Sequence, residues 1–303
     1  MGDFMNNIEG NSRAVFCGVG RWGRVLLDNF TAFGITPVGF LLKENSSSRP
    51  WVSKEFPEAA VDSDLQCLID KVNPDISVVA TPLSSHHQLA LASVQKGLHT
   101  FVEKPLCRSR KDLLELIDYA AREDVSLFTG YVYLYHPAIF YLSSLLIPEK
   151  ISDIVFYWSR PGLIGSLFWE LLPHEISLAL KICGGPIFFQ SCNRSDDVLT
   201  FSFTDHHGIS IRGILERVSD SKQKSVFIKM VDGTQFSWVD NKLLISDRNG
   251  FVFSRIFFRE NISVSNEISL FLSSCFESSA FGSENLYISS SVSEMLSYID
   301  EIT

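Results

Sequence analysis

The sequence predicts an α/β protein in two parts. An N-terminal parallel sheet, doubly wound by helices, precedes a C-terminal α+β region with a large, mostly antiparallel open sheet. Up to about residue 130, short apolar runs alternate with longer amphipathic runs, a pattern typical of βαβ units. After about residue 150, apolar runs are separated by turn signals such as Asp232-Gly233 and Asn249-Gly250, which are typical of hairpins. We therefore predict one domain over residues 1–128 and a second over 129–303.

In the first domain, strands and helices alternate along the chain. The runs, in order, are AVFCGVG, a helix from Trp22, PVGFLLKE, DLQCLIDKV, DISVVAT, QLALASVQKG, HTFVEK and KDLLELIDYAARED. Parallel strands need long crossover connections, usually helical, so this alternation indicates a parallel sheet covered on both faces.

The second domain contains mostly strand patterns. Its apolar runs are SDIVFYWSR, DVLTFSF, GISIRGILE, SVFIKMV and KLLISD. Helical spacing returns after Ser265 and continues to a final helix that ends at LSYIDEIT. The phenylalanines at 251, 253, 257 and 258 are predicted to supply a sheet core or a subunit interface.

Composition excludes several classes of protein. The chain has 303 residues, of which 46% are apolar, enough for a buried core in each domain. Its net charge of −9 argues against nucleic acid as a partner. No apolar run reaches the roughly 20 residues of a membrane-spanning helix. The polar, acidic start MGDFMNNIEGNSR does not resemble a signal peptide, so we predict a cytoplasmic protein without a membrane partner.

Cysteine and histidine spacing predicts no metal site. The six cysteines form no CxxC pair, and buried thiols are the simpler interpretation. His206 and His207 are adjacent, and adjacent side chains on a strand point to opposite faces. We therefore predict a hairpin turn there rather than a metal-binding pair.

The pattern Gly18-x-Gly20-x-x-Gly23 lies between the first strand and the first helix. In that context, backbone N–H groups and the helix N-terminus face a pyrophosphate, which predicts NAD or NADP as the cofactor. The choice between them stays open. Glu44 is at a workable distance to bind the ribose hydroxyls of NAD, whereas Lys43, the serines at 46–48 and Arg49 suit the 2'-phosphate of NADP. These residues also fit an ordinary solvated loop.

Two further strands are predicted to end at the ligand-binding edge of the parallel sheet. One is followed by Thr81 and Pro82, and the other by Glu103, Lys104 and Pro105. A lysine at this edge places a cation beside the nicotinamide pocket. It can hydrogen-bond a substrate hydroxyl or stabilise charge on a carbonyl oxygen.

The chain resembles the glucose-fructose oxidoreductase and inositol dehydrogenase (Gfo/Idh/MocA) family. The resemblance rests on an ordered series of segments: GVGRWG from Gly18, ATPLSSH from Ala80, GLHTFVEKP from Gly97, GYVYLYHP from Gly130 and WELLPHEIS from Trp169. It implies a Rossmann domain followed by an α/β domain whose open sheet often forms a subunit interface, and hence a homo-oligomer through the C-terminal sheet.

The resemblance also implies an activity: NAD(P)-dependent oxidation or reduction at a secondary alcohol or ketone of a sugar-like substrate, here a sugar nucleotide or deoxysugar. It implies catalytic roles for Lys104, His174 and Glu170. An imidazole titrates near neutral pH, as a base for the leaving hydroxyl proton must. Glu170 and His174 share one face if they lie on a helix, although Pro173 requires a helix start there.

The remaining site residues are predicted from the motifs above together with the resemblance. The predicted cofactor-binding residues are Gly18, Gly20, Arg21, Trp22, Gly23, Lys43, Glu44, Thr81, Pro82, His86, Glu103 and Lys104. The predicted substrate-binding residues are His136, Tyr157, Arg160 and His174, with Arg160 suited to a carboxylate or phosphate.

The family usually has aspartate where this chain has Glu170, which leaves two alternatives to a sugar enzyme. One is a nicotinamide-binding regulator or scaffold without turnover. The other is a reductase of a non-sugar substrate such as a dihydrodiol or a tetrapyrrole.

Overall fold

The computed structural model describes residues 12–259, 262–276 and 280–303. The first eleven residues, which entered the prediction of cellular location, lie outside the described part. The chain separates into two compact units, Met1–Gly130 with Val264–Ser293, and Tyr131–Ser263 with Glu294–Thr303. These units are not contiguous in sequence, unlike the predicted domains 1–128 and 129–303. Among the described residues, no helix has the length and apolarity needed to cross a bilayer.

The first unit is built on a six-stranded parallel sheet in the order β3-β2-β1-β4-β5-β6. Its strands are β1 (Arg13–Cys17), β2 (Thr36–Leu41), β3 (Ala60–Asp62), β4 (Ile76–Val79), β5 (His99–Glu103) and β6 (Leu127–Gly130). Its helices are α1 (Arg21–Ala32), α2 (Arg49–Glu55), α3 (Leu65–Val72), α4 (His86–Val94), α5 (Arg110–Arg122), α9 (Ile262–Phe276) and most of α10 (Ala280–Ile302). The strand order reverses between β1 and β4, where such sheets bind dinucleotides.

One face of this sheet has an aromatic core. Phe16, Phe101 and Phe128 project from three strands and are at most 1% exposed. Phe30 of α1 and Phe271 of α9 pack between these rings, with ring centroids 5.6–5.9 Å apart. The contacts of Phe271 explain why α9 belongs to this unit. They join residues far apart in sequence, so local periodicity gives no sign of them.

The second unit contains an eight-stranded sheet in the order β14-β13-β12-β11-β7-β10-β9-β8. Its strands are β7 (Ile151–Ser159), β8 (Ile187–Arg194), β9 (Val198–Asp205), β10 (Ser210–Glu216), β11 (Gln223–Met230), β12 (Gln235–Val239), β13 (Lys242–Ser246) and β14 (Val252–Phe257). Its helices are α6 (Pro137–Leu145), α7 (Leu167–Glu170) and α8 (Leu172–Cys183). β7 and β10 form the parallel pair, and the other neighbours are antiparallel. The predicted fold class is therefore confirmed.

Two expectations about side-chain burial need correction. Phe251, Phe253 and Phe257 are 70%, 59% and 71% exposed, so they do not form a core within this chain. Phe253 and Phe257 alternate with less exposed residues along β14, and a subunit interface stays the predicted alternative for these phenylalanines. Cys67 is exposed rather than a buried thiol. It lies in the first turn of α3, outside the apolar stripe formed by Leu65, Leu68 and Ile69.

Candidate active site

The glycine loop leaves no room for side chains at two of its three positions. Gly18 has φ +88°, and a Cβ there would lie 2.8 Å from the Ala80 carbonyl oxygen. A Cβ at Gly23 would lie 2.4 Å from the Gly18 carbonyl oxygen. Gly20 is the N-cap of α1 and has open space around its Cα. The loop therefore fits a dinucleotide pyrophosphate, which needs close backbone approach at a helix N-terminus.

We predict that Gly23→Ala weakens dinucleotide binding by at least about tenfold, because the new methyl group forces the Gly18 carbonyl and the loop to move. Asp28→Ala, an exposed change on the same helix, is the control. Isothermal titration with NADH and NADPH measures both variants. Equal affinities for the two variants would contradict the role assigned to Gly23.

His86 connects two loops at the carboxyl edge of the parallel sheet. It is 1% exposed, and its two ring nitrogens lie 2.9 Å from the Pro105 carbonyl oxygen and 2.8 Å from the Thr81 carbonyl oxygen. The Ser85 hydroxyl adds a 2.8 Å hydrogen bond to the Thr81 hydroxyl. Direct cofactor contact by His86 stays a prediction. Its buried ring holds the segments that carry Thr81 and Pro105.

Glu103 links the first turn of α1 to the end of β5. One carboxylate oxygen accepts a hydrogen bond from the Trp22 indole N–H, and the other accepts from the Lys104 backbone N–H at 3.2 Å. Lys104 is half-buried, and its peptide bond to Pro105 is cis. Glu103 thus fixes the backbone of the residue that carries the predicted catalytic ammonium.

The end of β2 has a cationic character. Lys43 and Glu44 are both exposed, and Glu44 lies in the turn beyond the strand. The Arg49 guanidinium donates to the Lys43 carbonyl at 2.9 Å and to the Leu42 carbonyl at 2.7 Å. Leu42, the first residue after β2, is buried. A basic side chain is therefore anchored at the strand end where NAD-specific enzymes of this fold place an acidic one.

In the second unit, His174 lies in the first turn of α8 and is 6% exposed. Its ring is perpendicular to Tyr133 at a centroid distance of 5.0 Å and tilted against Trp158 at 5.5 Å. Burial, and to a smaller extent the Glu175 carboxylate, raise the pKa of the Tyr133 hydroxyl to about 12, so this hydroxyl stays protonated. The Tyr133 and Trp158 rings, which we call the aromatic wall, therefore pack against the imidazole of His174.

The helix expected to join Glu170 and His174 is interrupted. α7 ends at Glu170, and α8 begins after a break at Leu171. Pro173 lies in the first turn of α8, where its missing N–H costs least. The i,i+4 helical relation is therefore wrong, and Glu170 is exposed while His174 is buried. The predicted orienting role of Glu170 stays a prediction.

The other predicted substrate residues have different surroundings. His136 caps α6, its Nδ1 accepting from the Ala138 N–H at 3.1 Å, so Nε2 carries the proton and donates to Asn241 at 3.4 Å. Burial lowers the His136 pKa, which favours this neutral form. His136 is therefore engaged as a helix cap, and its contact with substrate stays a prediction. Tyr157 and Trp158 are consecutive on β7 and point to opposite faces of the sheet.

Tyr157 donates to the Glu216 carboxylate on the face away from Trp158 and His174. We therefore remove Tyr157 from the proposed site. Arg160 follows β7, and its positive charge acts to lower the Tyr133 pKa. Arg160 thus remains a candidate substrate residue.

Residues 12–131 match the model of the Gfo/Idh/MocA family, described as an oxidoreductase family with an NAD-binding Rossmann fold. The match covers 120 of the 303 residues, which is the Rossmann part of the chain. The predicted resemblance and the predicted cofactor class, NAD or NADP, are thereby confirmed. The described residues fit that cofactor class at the glycine loop, where only hydrogen can occupy two of the glycine positions.

One curated relative is the UDP-N-acetylglucosamine 3-dehydrogenase of Acidithiobacillus ferrooxidans. It is 30% identical over 174 residues, which cover 55% of this chain and 53% of that protein. The match thus spans about half the length of the relative. A crystal structure of the same enzyme has a TM-score of 0.79 at 21% identity, covering 93% of this chain and 95% of that one.

A second solved structure extends the fold comparison. It is a 3-ketoreductase from Actinomadura kijaniata with TDP-benzene and NADP, with a TM-score of 0.83 at 13% identity over 96% of this chain and 97% of that chain. At these identities, the solved structures show a common fold over nearly the whole chain.

Sequence reasoning missed two charged residues of the second unit. Glu175 directly follows His174, and Lys224 lies on β11. Both are buried and form an ion pair. Lys224 occupies the same inward register as the buried Val226 and Ile228, so alternation along the strand was the one available signal.

Asp205, His206 and His207 form a turn after β9, as predicted. The reason given against metal binding is wrong, however, because the two imidazoles are in a turn and not on a strand, with ring centroids 3.8 Å apart. One Asp205 carboxylate oxygen accepts from the His207 N–H at 2.9 Å and the Ile209 N–H at 2.8 Å. These bonds assign Asp205 to turn formation. The expected absence of a metal stays a prediction.

Proposed function

We propose that the protein is an NAD(P)-dependent dehydrogenase or reductase acting on a secondary alcohol or ketone of a nucleotide-linked sugar. The main support is the linked arrangement of the glycine loop, Trp22, Glu103 and Lys104 at the carboxyl edge of the parallel sheet. The relative named UDP-N-acetylglucosamine 3-dehydrogenase supports a sugar nucleotide as the substrate class.

When bound, the nicotinamide exchanges hydride with the carbinol carbon. In the oxidation direction, Lys104 donates a hydrogen bond to the reacting oxygen and stabilises its developing negative charge. His174 accepts the hydroxyl proton, and in the reduction direction it returns that proton to the carbonyl oxygen. The balanced reaction converts alcohol and oxidised dinucleotide into ketone, reduced dinucleotide and one proton.

We also propose that the protein forms a homo-oligomer through the open face of the eight-stranded sheet. Phe227 and Ile214 on this face are 42% and 43% exposed, and Phe253 and Phe257 extend the apolar surface. Contiguous exposed apolar surface of this kind commonly marks a subunit interface. Analytical ultracentrifugation of the wild type measures the oligomeric state directly.

The cationic end of β2 favours NADP over NAD. We predict that Lys43→Glu weakens NADPH binding by about tenfold and changes NADH binding by no more than about twofold, because a charge-assisted hydrogen bond to the 2'-phosphate is lost. Lys54→Glu is the control, since Lys54 is exposed on α2 and pairs with its neighbour Glu55. Equal weakening of both cofactors, or a wild-type preference for NADH, would reject this preference.

The function is tested by isotope transfer. The protein is incubated with UDP-N-acetylglucosamine deuterated at the sugar carbinol carbons and with NADP⁺ or NAD⁺, and mass spectrometry follows the label. Deuterium in the reduced dinucleotide, matched by a product lighter by one deuterium and one hydrogen, supports the proposal. Dinucleotide binding without transfer from any sugar nucleotide in a panel would instead favour the regulator, and transfer only from a dihydrodiol or to a tetrapyrrole would favour the non-sugar reductase.

A further inference from the structure

A buried ion pair lies against the aromatic wall of His174. The Lys224 and Glu175 side chains are 6% and 1% exposed, and the ammonium donates to one Glu175 carboxylate oxygen. The other Glu175 oxygen is buried without a hydrogen-bond partner among the described residues. The contact between the Lys224 ammonium and one Glu175 oxygen therefore carries the hydrogen bonding of this pair.

The same ammonium contacts both rings that surround His174. Lys224 Nζ lies 4.0 Å from the Trp158 ring centroid and 4.6 Å from the Tyr133 ring centroid. The two rings meet edge to face at 5.2 Å, and each packs against the imidazole. One cation thus contacts both aromatic neighbours of the predicted general base, and each cation–π contact favours one ring position.

Stability alone does not account for this pair. Desolvation of two charges offsets most of their mutual attraction, so an apolar pair of similar volume would serve the fold as well. Burial lowers the Lys224 pKa and raises the Glu175 pKa, while each partner opposes the shift of the other. The pair has zero net charge whichever partner holds the shared proton, so it adds polarity without leaving a net buried charge.

We propose that Lys224 and Glu175 are positioning residues for His174, with their ion pair holding Tyr133 and Trp158 in the arrangement that orients the imidazole. Glu175 adjoins His174 on α8, and Lys224 approaches from β11. The catalytic consequence rests on the proposed function, whereas the positioning itself does not.

Other ionisable groups also surround this wall. The Tyr133 hydroxyl is influenced by the charges of Arg160 after β7 and Asp240 after β12, in addition to Glu175. Glu170 precedes His174 on α7. A test must therefore remove the positive charge in one variant and the negative charge in another. A general change in this environment would shift the His174 pKa in the same direction in both variants, whereas loss of the two charges shifts it in opposite directions.

The test is a nuclear magnetic resonance titration of the histidine side chains without cofactor or substrate. Lys224→Met removes a positive charge and is expected to raise the His174 pKa. Glu175→Gln leaves that charge uncompensated and is expected to lower it, each by about half a unit or more. His174→Gln assigns the signal. Lys229→Met, an exposed position on the same strand, is the control and is expected to leave the titration unchanged.

The double variant Lys224→Met, Glu175→Gln covers the case in which a single substitution prevents folding. It is neutral and nearly isosteric, and it is expected to fold while the His174 ring signals move, because the cation–π contacts are gone. If turnover is found, kcat should fall by about tenfold or more with dinucleotide affinity unchanged within about twofold. His174 signals and titration equal to wild type in the folded variants would overturn the proposal. A His174 shift without turnover in any variant or wild type would reject the proposed function and support the positioning.

Discussion

Replacing Lys104 by methionine is expected to lower kcat by about 10³-fold, with dinucleotide affinity changed by no more than about twofold. The ammonium acts on charge that develops on the reacting oxygen, so its loss raises the transition-state energy more than that of the ground state. Methionine keeps the apolar stem of lysine without the ammonium. It also keeps the backbone N–H that donates to Glu103, so the link between β5 and Trp22 survives.

Stopped-flow kinetics with reduced and oxidised dinucleotide measure kcat and KM, and titration calorimetry gives cofactor affinity. Lys96→Met is the matched control, because Lys96 is a partly exposed lysine of the same unit whose ammonium pairs with Asp70 at 2.9 Å. A Lys104→Met variant with raised KM and normal kcat would show that Lys104 binds substrate and transition state equally. Normal values of both would remove Lys104 from the reaction.

The sequence predicted what depends on short-range geometry. The glycine loop requires particular residue types at fixed offsets, and Gly18 and Gly23 are confined in the structure for that reason. Strands that alternate with helices predicted the parallel sheet, and strands separated by turn signals predicted the antiparallel sheet. By contrast, the Glu170–His174 relation depended on an uninterrupted helix, which the break at Leu171 removes.

Long-range packing was the part that the sequence could not provide. Phe271 and Glu267 lie on α9, about 140 residues after the last strand of the sheet that they help to cover. The pairing of Glu175 with Lys224 joins positions 49 residues apart. No local pattern specifies such partners, and each becomes visible when two elements pack together.

Replacing Glu267 by glutamine is expected to have the second large effect, on the free energy of unfolding and on its dependence on pH. Glu267 is fully buried on α9, and neither carboxyl oxygen has a hydrogen-bond partner among the described residues. Burial first, and the Glu103 carboxylate second, raise the Glu267 pKa well above its ordinary value. The folded protein therefore keeps a proton on Glu267 at pH values where the unfolded chain releases it.

This difference fixes the sign of the pH dependence. The stability contribution of the protonated acid is complete below the unfolded pKa and is lost as pH rises towards the folded pKa, by about 1.4 kcal/mol per pH unit. Glu267→Gln has no such proton to lose. We therefore expect the variant to be more stable than wild type at neutral and alkaline pH, and the difference to shrink as the solution is acidified.

Urea unfolding between about pH 5 and pH 8 measures this slope for both proteins. Glu58→Gln, an exposed change in the same unit, is the control and should leave the slope unaltered. Equal slopes for wild type and Glu267→Gln would show that Glu267 ionises in the folded protein without penalty. Because glutamine is neutral, the Glu103 carboxylate should still accept from Trp22 and Lys104, so dinucleotide affinity should stay within about twofold of wild type. A larger change in affinity would show that the buried acid acts on the cofactor site through Glu103 as well as on stability.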